Sequence, residues 1–289
     1  MMGAGIAQVF AAHGHPVRIY ARTPAGVLER IRKNLIRVDA PDISAILDRI
    51  IVTTDVNEAC GAADFVFENV IEDLAVKQEL FAELDRISLR EAVLCSNTSV
   101  LSITAIASRA KHPERIVGTH FFQPAFLIPL VEVVRAEGTT DDTVEKTFTL
   151  LRDAGKMPVR VNKDIPGFLG NRLLHAMWRE AFALIDDGVC DAETIDVVVN
   201  NSFGLRTPVL GPVANADMVG LDLVFAVQNY LLPHLSTSAS PSVTLRKNME
   251  EGRLGFKAKS GFLEWSDGSI AETEQRLMTW LLESTRWKR

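Results

Sequence analysis

The chain has 289 residues, of which 47% are hydrophobic and 24% charged, and its formal net charge is −6 at pH 7. This length allows two domains of ordinary size, or one large one, with a sizeable core. The negative charge and the scattered basic residues argue against a nucleic-acid-binding surface. No apolar run approaches the roughly 18 residues that a membrane-spanning helix needs.

Cysteine usage and the N-terminal sequence bear on the cellular compartment. Cys60, Cys95 and Cys190 are widely spaced and show no metal-binding or Cys-x-x-Cys pattern. A sparse, odd cysteine count fits a reducing compartment better than a disulfide framework, and the first residues lack the pattern of a secretory signal. We therefore expect a cytoplasmic protein with no metal site, no nucleic-acid partner and no membrane association.

Short β-rich runs alternate with amphipathic segments in the first half of the chain. Strands are predicted at Val17–Tyr20, Ile50–Thr53, Asp64–Glu68, Ala92–Ser96, Ile116–Phe122, Leu130–Arg135 and Pro158–Val161. Helices are predicted between them at Pro24–Val38, Leu74–Ile87 and Thr143–Ala154. This alternation is typical of an α/β fold, a doubly wound parallel sheet with helices on both faces.

The pattern changes near Asp164. Asp164-Ile165-Pro166 predicts a helix start, because Asp caps free N–H groups and Pro suits the first turn. The helix is predicted to run to about Asp187, and the signals beyond it are mostly helical. The sequence therefore predicts an α/β domain over residues 1–163 and an all-α domain over residues 164–289.

The chain begins with a glycine pair. Gly3-Ala4-Gly5-Ile6-Ala7 leads into a helix and then a strand, which matches the second half of a strand, glycine loop, helix and strand unit that binds dinucleotides. In that unit Gly3 and Gly5 would let backbone N–H groups approach the cofactor pyrophosphate; a glycine pair alone fits close helix packing equally well. Because no strand precedes the pair, we expect the natural chain to carry about a dozen further residues ahead of it.

The end of the second strand of such a unit bears on the choice of cofactor. An acidic residue there normally accepts the ribose hydroxyls of NAD, but this chain has Ala21, Arg22 and Thr23. Arg22 could bind the 2′-phosphate of NADP, stack on adenine or face water. We expect NAD ahead of NADP.

Polar side chains cluster in four later segments. They are Ser96-Asn97-Thr98-Ser99, His120-Phe121-Phe122-Gln123-Pro124, Leu130–Val134 with Glu132 at its centre, and Pro166–Arg172 with Asn171. Each polar group is predicted at or just after a strand end, or in the opening turns of the second domain's first helix. Ligands of open α/β sheets bind outside such strand ends, and the neighbouring phenylalanines would keep a histidine site partly dry.

These segments, together with Met2–Val9, Thr53-Thr54-Asp55 and Glu68–Asp73, resemble the 3-hydroxyacyl-CoA dehydrogenase family in order and spacing over nearly the whole chain. The resemblance implies a Rossmann-type N-terminal domain whose first strand is missing here, and an all-α C-terminal domain through which members dimerise. It also implies a small-molecule substrate, an acyl-CoA, and a place in fatty acid metabolism.

The resemblance also assigns roles. His120 is implied as the catalytic base and Glu132 as the partner that fixes its tautomer. Ser99 and Asn171 match residues that hydrogen-bond the substrate oxygen.

Three further residues match positions at the cofactor. Glu72 and Lys77 correspond to positions near its ribose and nicotinamide, and Asn97 lies on the same edge.

Other interpretations of the same residues stay open. A lone histidine among aromatic residues is usually structural, Ser99 could cap a helix at Ile103–Ser108, and asparagine on a helix usually faces solvent. Leu174 and Trp178, on the same side of the predicted helix, favour a cleft-facing Asn171.

The sequence departs from the family at three places. Gln123 stands where the family usually has Asn, and Lys259 replaces a glycine of a C-terminal turn. The segment Phe203–Pro212 is longer than in straight fatty acyl-CoA members and contains Arg206, as in relatives that act on small hydroxylated acids or pyridine carboxylates. Arg206 could clamp a substrate carboxylate, or form an ion pair at the surface or at a dimer interface.

Three functions follow from these features. The first is NAD-dependent oxidation of a 3-hydroxyacyl-CoA, or its reverse. The second keeps the hydride chemistry on a small free hydroxy acid of the carnitine, gulonate or pyridine-carboxylate type, with Arg206 at the carboxylate. The third is a non-catalytic binding protein, which the intact His120 and Glu132 argue against.

Overall fold

The computed structural model describes the backbone of residues 2–286 and the side chains through residue 284. Contacts divide the chain into two units: residues 1–172 with 278–289, and residues 173–277. The predicted boundary after residue 163 lies in the segment that connects the last strand to the long helix Gly170–Asp186. Residue 1 and residues 287–289, which the predicted domains include, lie outside the described residues.

The first unit is an α/β structure. Its strands are Val17–Tyr20 (β1), Ile50–Thr53 (β2), Phe65–Glu68 (β3), Val93–Ser96 (β4), Ile116–Phe121 (β5), Leu130–Val134 (β6) and Met157–Val161 (β7). They form a parallel pair, β1-β2, and a sheet in the order β3-β4-β5-β6-β7. Strands β4, β5 and β6 are almost wholly buried, as expected for a sheet covered on both faces.

Helices follow most of the strands. The first unit holds Met2–Ala12 (α1), Val27–Arg37 (α2), Ile43–Asp48 (α3), Val56–Cys60 (α4), Leu74–Ile87 (α5), Ile103–Ala107 (α6) and Asp141–Asp153 (α7). The α/β fold class predicted from the alternation of elements is therefore confirmed.

Helix α1 joins the two sheets through one hydrophobic core on each side. Ile6, Val9 and Phe10 pack in the cluster that contains β4, β5 and β6 side chains, and the Phe10 ring lies 4.8 Å from that of Phe67 on β3. Ala7, with other small residues of α1, packs against α2, α3 and β2. The glycine pair was expected in a loop, but the described helix already begins at Met2 and includes both glycines.

Strand β6 runs antiparallel to β5, whereas the sequence predicted a parallel sheet. The connection from Phe122 to Pro129 is too short for the crossover that parallel neighbours require, so the chain turns back beside β5. This reversal places residues of β5 and β6 directly opposite each other, and the functional site depends on it.

Asp164 does not begin the long helix, which starts six residues later at Gly170. Its carboxylate instead accepts hydrogen bonds from the Ser102 hydroxyl at 2.6 Å and the Thr104 N–H at 2.7 Å. It therefore stabilises the N-terminus of α6, which is capped by Ser102 rather than by Ser99. Proximity in space, not in sequence, decides which helix N-terminus the Asp164 carboxylate stabilises.

The second unit is helical, as predicted. It contains most of Gly170–Asp186 (α8), then Ala192–Asn201 (α9), Phe203–Arg206 (α10), Pro212–Val219 (α11), Leu221–Leu231 (α12), Val243–Glu250 (α13) and the first half of Asp267–Arg286 (α14). None of the residues in helices α8 to α12 is buried. Among the helices of the described residues, none is long and apolar enough to cross a membrane.

Candidate active site

His120 and Glu132 form a buried pair at the centre of the first unit. They are direct partners across the antiparallel strands β5 and β6, so their side chains leave the sheet on the same face. His120 Nδ1 lies 2.7 Å from Glu132 Oε2, and the two residues are 5% and 1% exposed. The strand register therefore builds the predicted pair.

The second carboxylate oxygen of Glu132 is also occupied. Glu132 Oε1 accepts hydrogen bonds from the backbone N–H groups of Leu169 and Gly170, each at 2.9 Å. Burial by itself would raise the pKa of Glu132, but these bonds and the contact with His120 outweigh it and hold the pKa below its ordinary value. Glu132 is therefore a carboxylate at neutral pH.

An ionised Glu132 sets the proton position on His120. A carboxylate only accepts hydrogen bonds, so Nδ1 of neutral His120 must carry the proton and Nε2 must hold the free lone pair. Nε2 has no hydrogen-bond partner among the described residues, and His120 lines a pocket. His120 is thus arranged to accept a proton from a molecule in that pocket.

Aromatic rings surround the imidazole. The His120 ring centre lies 4.5 Å from that of Phe122 and 5.9 Å from that of Phe168. Phe168 is fully buried, and Phe121 and Phe122 line the pocket. These rings limit water around the pair, which strengthens its electrostatic interactions.

Glu72 holds the loop that follows β4. Its Oε1 atom accepts hydrogen bonds from the Thr98 hydroxyl at 2.5 Å, the Ser99 N–H at 2.9 Å and the Val100 N–H at 3.2 Å. Burial alone would raise the pKa of Glu72, but these bonds and the nearby Lys77 ammonium lower it below its ordinary value. The loop is therefore fixed with the Ser99 side chain exposed.

Asn171 joins this loop from the first turn of α8. Its side-chain amide donates to the Ser99 carbonyl oxygen at 2.9 Å, and both residues line the pocket with His120. The amide has a second N–H, and the Ser99 hydroxyl has no hydrogen-bond partner among the described residues. Two donors are therefore available near the imidazole.

Asn97 and Asn69 close another side of the pocket. Asn97 donates to Asn69 Oδ1 at 2.8 Å and accepts from the Phe121 N–H at 2.8 Å, while Asn69 donates to the Phe67 carbonyl at 3.1 Å. These bonds tie the ends of β3, β4 and β5 together. Asn69 was not among the predicted site residues. It follows the end of β3, so the preference of ligands for strand ends would have indicated it.

Lys77 lies beneath the pocket and is 1% exposed. Its ammonium is 2.6 Å from Glu68 Oε1 and 3.4 Å from Glu72 Oε2. Glu68, also buried, accepts further bonds from the Ser96 hydroxyl at 2.7 Å and the Val70 N–H at 2.6 Å. Lys77 therefore supports Glu72 from below, and Glu68 is a buried member of the network that sequence reasoning missed.

The pocket has a volume of about 410 Å³ and is lined by both catalytic and cofactor candidates. The lining residues are Met2, Asn69, Val70, Glu72, Asn97, Ser99, His120, Phe121, Phe122, Gln123 and Asn171. A pocket of this size is ordinary for a small-molecule site, where roughly 300–1,000 Å³ is typical.

The remaining candidates lie elsewhere. Gly3 and Gly5 are in the first turn of α1, where an added Cβ would contact Asn69 at 3.6 Å and Ala125 at 3.4 Å. Arg22 follows β1 and is exposed, and Arg206 ends α10 in the second unit with an exposed side chain.

Comparison with known proteins identifies the family. The model described as "3-hydroxyacyl-CoA dehydrogenase, NAD binding domain" matches residues 1–165, and the one for the C-terminal domain of the same enzymes matches residues 167–265. The chain belongs to the 3-hydroxyacyl-CoA dehydrogenase family. It is therefore an NAD-dependent oxidoreductase that acts on a CH–OH group.

Relatives within this family act on different substrates. The chain is 38% identical over 277 residues to a probable 3-hydroxybutyryl-CoA dehydrogenase of Bacillus subtilis, covering 92% of this chain and 94% of that one. It is 35% identical over 267 residues to 5-formyl-3-hydroxy-2-methylpyridine 4-carboxylate 5-dehydrogenase of Mesorhizobium japonicum, covering 90% and 86%.

Solved structures show the same division. A crystal structure of 5-formyl-3-hydroxy-2-methylpyridine 4-carboxylic acid 5-dehydrogenase, an NAD⁺-dependent dismutase, superposes with a TM-score of 0.90 at 31% identity, covering 99% of this chain and 94% of that chain. A (S)-3-hydroxybutyryl-CoA dehydrogenase of Ralstonia eutropha gives a TM-score of 0.76 at 31% identity, covering 92% and 96%.

Two features of the first unit bear on how the NAD cofactor of this family is held. Met2, in the first turn of α1, and His120 line the same pocket, and a helix N-terminus favours a negatively charged group such as a pyrophosphate. Arg22 is exposed at the end of β1, where this fold binds the adenosine ribose.

The buried ion pairs of Lys77 lead to a prediction about the free energy of unfolding. Lys77→Met leaves the buried Glu68 without its cation, and we expect a loss of about 3–5 kcal/mol in the free energy of unfolding. Glu68→Gln combined with Lys77→Met should recover most of this loss, because no fully buried charge then lacks a partner and Glu72 is partly exposed. Urea unfolding measures both, and Lys33→Met, at an exposed ion pair, should cost less than about 1 kcal/mol. A double variant as unstable as Lys77→Met would contradict this account.

Proposed function

We propose that His120 is the general base of the dehydrogenation. Its Nε2 atom takes the proton of the substrate hydroxyl while the carbon–oxygen double bond forms. Glu132 holds the Nδ1 proton and stabilises the imidazolium that results. The observation that supports this assignment is the 2.7 Å contact between Nδ1 and a buried, ionised Glu132, with Nε2 open to the pocket.

Ser99 and Asn171 are proposed to bind the reacting oxygen. Their free donors lie on the same pocket as His120, and such donors stabilise negative charge on the oxygen when the reaction runs in the reverse direction. Bound NAD supplies the nicotinamide that accepts the hydride from the carbinol carbon. Gly3, Gly5, Arg22, Glu72 and Asn97 are proposed to hold that cofactor, with Lys77 acting through Glu72.

His120→Gln tests the catalytic assignment. We expect kcat to fall by about 10²–10⁴-fold, the range typical of general acid–base catalysis, with the Kd for NADH little changed. Glu132→Gln should also lower kcat, because its amide N–H can face Nδ1 and so favours the tautomer with a proton on Nε2.

Stopped-flow assays and NADH fluorescence measure the two quantities separately. His112→Gln, at a half-buried histidine that does not line the pocket, is the matched control and should keep full activity. Wild-type kcat in His120→Gln would refute the role of His120 as the base.

The substrate that we propose first is a 3-hydroxyacyl-CoA of short chain, such as 3-hydroxybutyryl-CoA. It is supported by the 38% identity to the Bacillus subtilis relative over nearly the full length of both chains. A small free hydroxy acid is the second candidate. It is favoured by the TM-score of 0.90 to the pyridine-carboxylate enzyme and by the exposed Arg206, which has no ion-pair partner among the described residues.

Arg206→Ala separates the two substrates. If the substrate is a free hydroxy acid, removal of the Arg206 guanidinium should raise KM for that acid about tenfold or more. One charge-assisted hydrogen bond contributes about 1.5–3 kcal/mol. If acetoacetyl-CoA is the substrate, kcat/KM should be nearly unchanged. Arg246→Ala, at another exposed arginine of the second unit, is the control. The assay compares acetoacetyl-CoA with a panel of hydroxy acids for both variants.

A homodimer is also proposed, through the second unit. Val209 is 92% exposed, Phe225 69% and Tyr230 77%, and helices α8 to α12 contain no buried residue. An apolar surface of this extent is unusual on a monomer. A second copy of the same unit offers a matching apolar surface through twofold symmetry.

Sedimentation velocity tests the dimer. The wild-type chain should sediment at twice the chain mass at micromolar concentration, and Phe225→Glu should shift it towards the monomer. Lys247→Glu, at an exposed position of α13, should leave the mass unchanged. A wild-type protein that sediments as a monomer at this concentration would rule the dimer out.

A further inference from the structure

The segment Gly167-Phe168-Leu169-Gly170, here named the α8 turn, has an unusual backbone. Gly167 has φ +77° and Phe168 has φ +47°. Glycine adopts this left-handed region readily, but a bulky residue such as phenylalanine does so rarely, at a free-energy cost of order 1–2 kcal/mol. Strained residues of this kind cluster at functional sites and persist only where the surroundings hold them.

The surroundings hold the α8 turn from several sides. The Phe168 side chain is fully buried in the core that contains α6 and β4 side chains. The Gly167 N–H donates to the Val100 carbonyl at 3.2 Å, and the Phe168 N–H donates to the Ile165 carbonyl at 3.1 Å. The turn is thus attached to the same loop that carries Ser99.

The conformation points two consecutive N–H groups at one oxygen. Leu169 N and Gly170 N both lie 2.9 Å from Glu132 Oε1, at the N-terminal end of a 17-residue helix whose dipole favours negative charge. Space at the second donor is also limited, because a Cβ on Gly170 would lie 2.6 Å from Cζ of Phe122.

We propose that the strained α8 turn is a positioning element for the catalytic pair: its two N–H groups keep Glu132 ionised and fixed, so that His120 presents an unprotonated Nε2 to the substrate. This inference rests on the proposed role of His120. It adds a part of the site that contributes no side chain to the pocket, and it explains why a phenylalanine is held at a positive φ there.

The other charged groups around Glu132 are engaged elsewhere. Arg160 on β7 pairs with Glu145 of α7 at 2.5 Å, and Arg172 of α8 donates to the Pro166 carbonyl at 3.3 Å. Asp164, ahead of the turn, accepts from Ser102 and Thr104. His120 is the titratable side chain that contacts the Glu132 carboxylate. The protonation of Glu132 is therefore determined by His120 together with the N–H groups of Leu169 and Gly170.

The direction of the expected pH effect follows from the active form. That form has an ionised Glu132 and a neutral His120. Weaker N–H bonds make the ionised carboxylate less stable, so the pair takes up its first proton at a higher pH. The pKa of this step therefore rises when the turn is disturbed, and activity is lost earlier as the pH falls.

Gly167→Val disturbs the turn mainly through its backbone, since a Cβ at this position would lie 3.4 Å from Cγ of Arg172. A β-branched residue is strongly disfavoured at φ +77°. We expect the midpoint of the first protonation of the pair to rise by about one pH unit, the size of effect that a weakened charge-assisted hydrogen bond gives. The midpoint is read from the ring ¹⁵N shifts of His120 by NMR, assigned with the His120→Gln variant.

Two matched variants separate this effect from general destabilisation. Gly167→Asn, with a residue that tolerates the left-handed region, should shift the midpoint by much less. Gly188→Val introduces the same strain at φ +69° at the other end of α8, with no neighbour within 4 Å, and should leave the midpoint unchanged. An unchanged midpoint in folded Gly167→Val, or an equal shift in Gly188→Val, overturns the proposal.

A second measurement on the wild-type chain covers the case in which Gly167→Val does not fold. The amide ¹H shifts of Leu169 and Gly170 should change with the same midpoint as the His120 ring shifts, since their acceptor, Glu132, belongs to the pair that gains a proton in that step. Amide shifts that stay constant through the transition overturn the proposal. Both titrations are made without substrate or cofactor, so they stand apart from the proposed function, whose failure would appear as an absence of turnover.

Discussion

The buried carboxylate of Glu132 is the group around which the first unit is organised. A charge with 1% exposure is tolerated only when its hydrogen-bonding positions are filled, because an unpaired buried charge costs several kcal/mol. Three donors fill them here: His120 from β5 and two N–H groups from the α8 turn. The same bonds that make the buried charge tolerable also orient the imidazole, so stability and chemistry share one set of contacts.

A second buried charge network supports the other side of the pocket. Lys77 and Glu68 neutralise each other beneath it. Lys77 also pairs with Glu72, which accepts hydrogen bonds from the loop after β4. Ser99 and Asn171, which line the pocket, are small polar side chains held by hydrogen bonds to Glu72 and to the loop after β4. The site thus consists of a few residues that face the pocket and a larger, buried set that fixes them in place.

The two units divide the tasks of the family. The first unit carries the pocket and the residues that we propose for the chemistry, whereas the second is formed by helices that leave large apolar side chains exposed. Family membership shows the cofactor, NAD, and the reaction type, oxidation at a CH–OH group. The glycine-bearing helix α1 and the His120–Glu132 pair both belong to the first unit. Relatives of this family act on different substrates, and Arg206, the residue that we propose for a substrate carboxylate, lies in the second unit.

The sequence by itself determined the α/β class, the helical second half, and the candidates His120, Glu132, Ser99 and Asn171, because periodicity and motif spacing are local properties of the chain. Tertiary structure alone decided which groups meet. The antiparallel turn between β5 and β6 opposes His120 to Glu132, and Asp164 accepts hydrogen bonds at the N-terminus of α6 instead of beginning α8. Lys77 lies beneath the pocket, and the positive φ of Phe168 delivers two N–H groups to Glu132. Each of these outcomes depends on hydrogen-bond partners far apart in sequence, whose proximity only the folded chain creates.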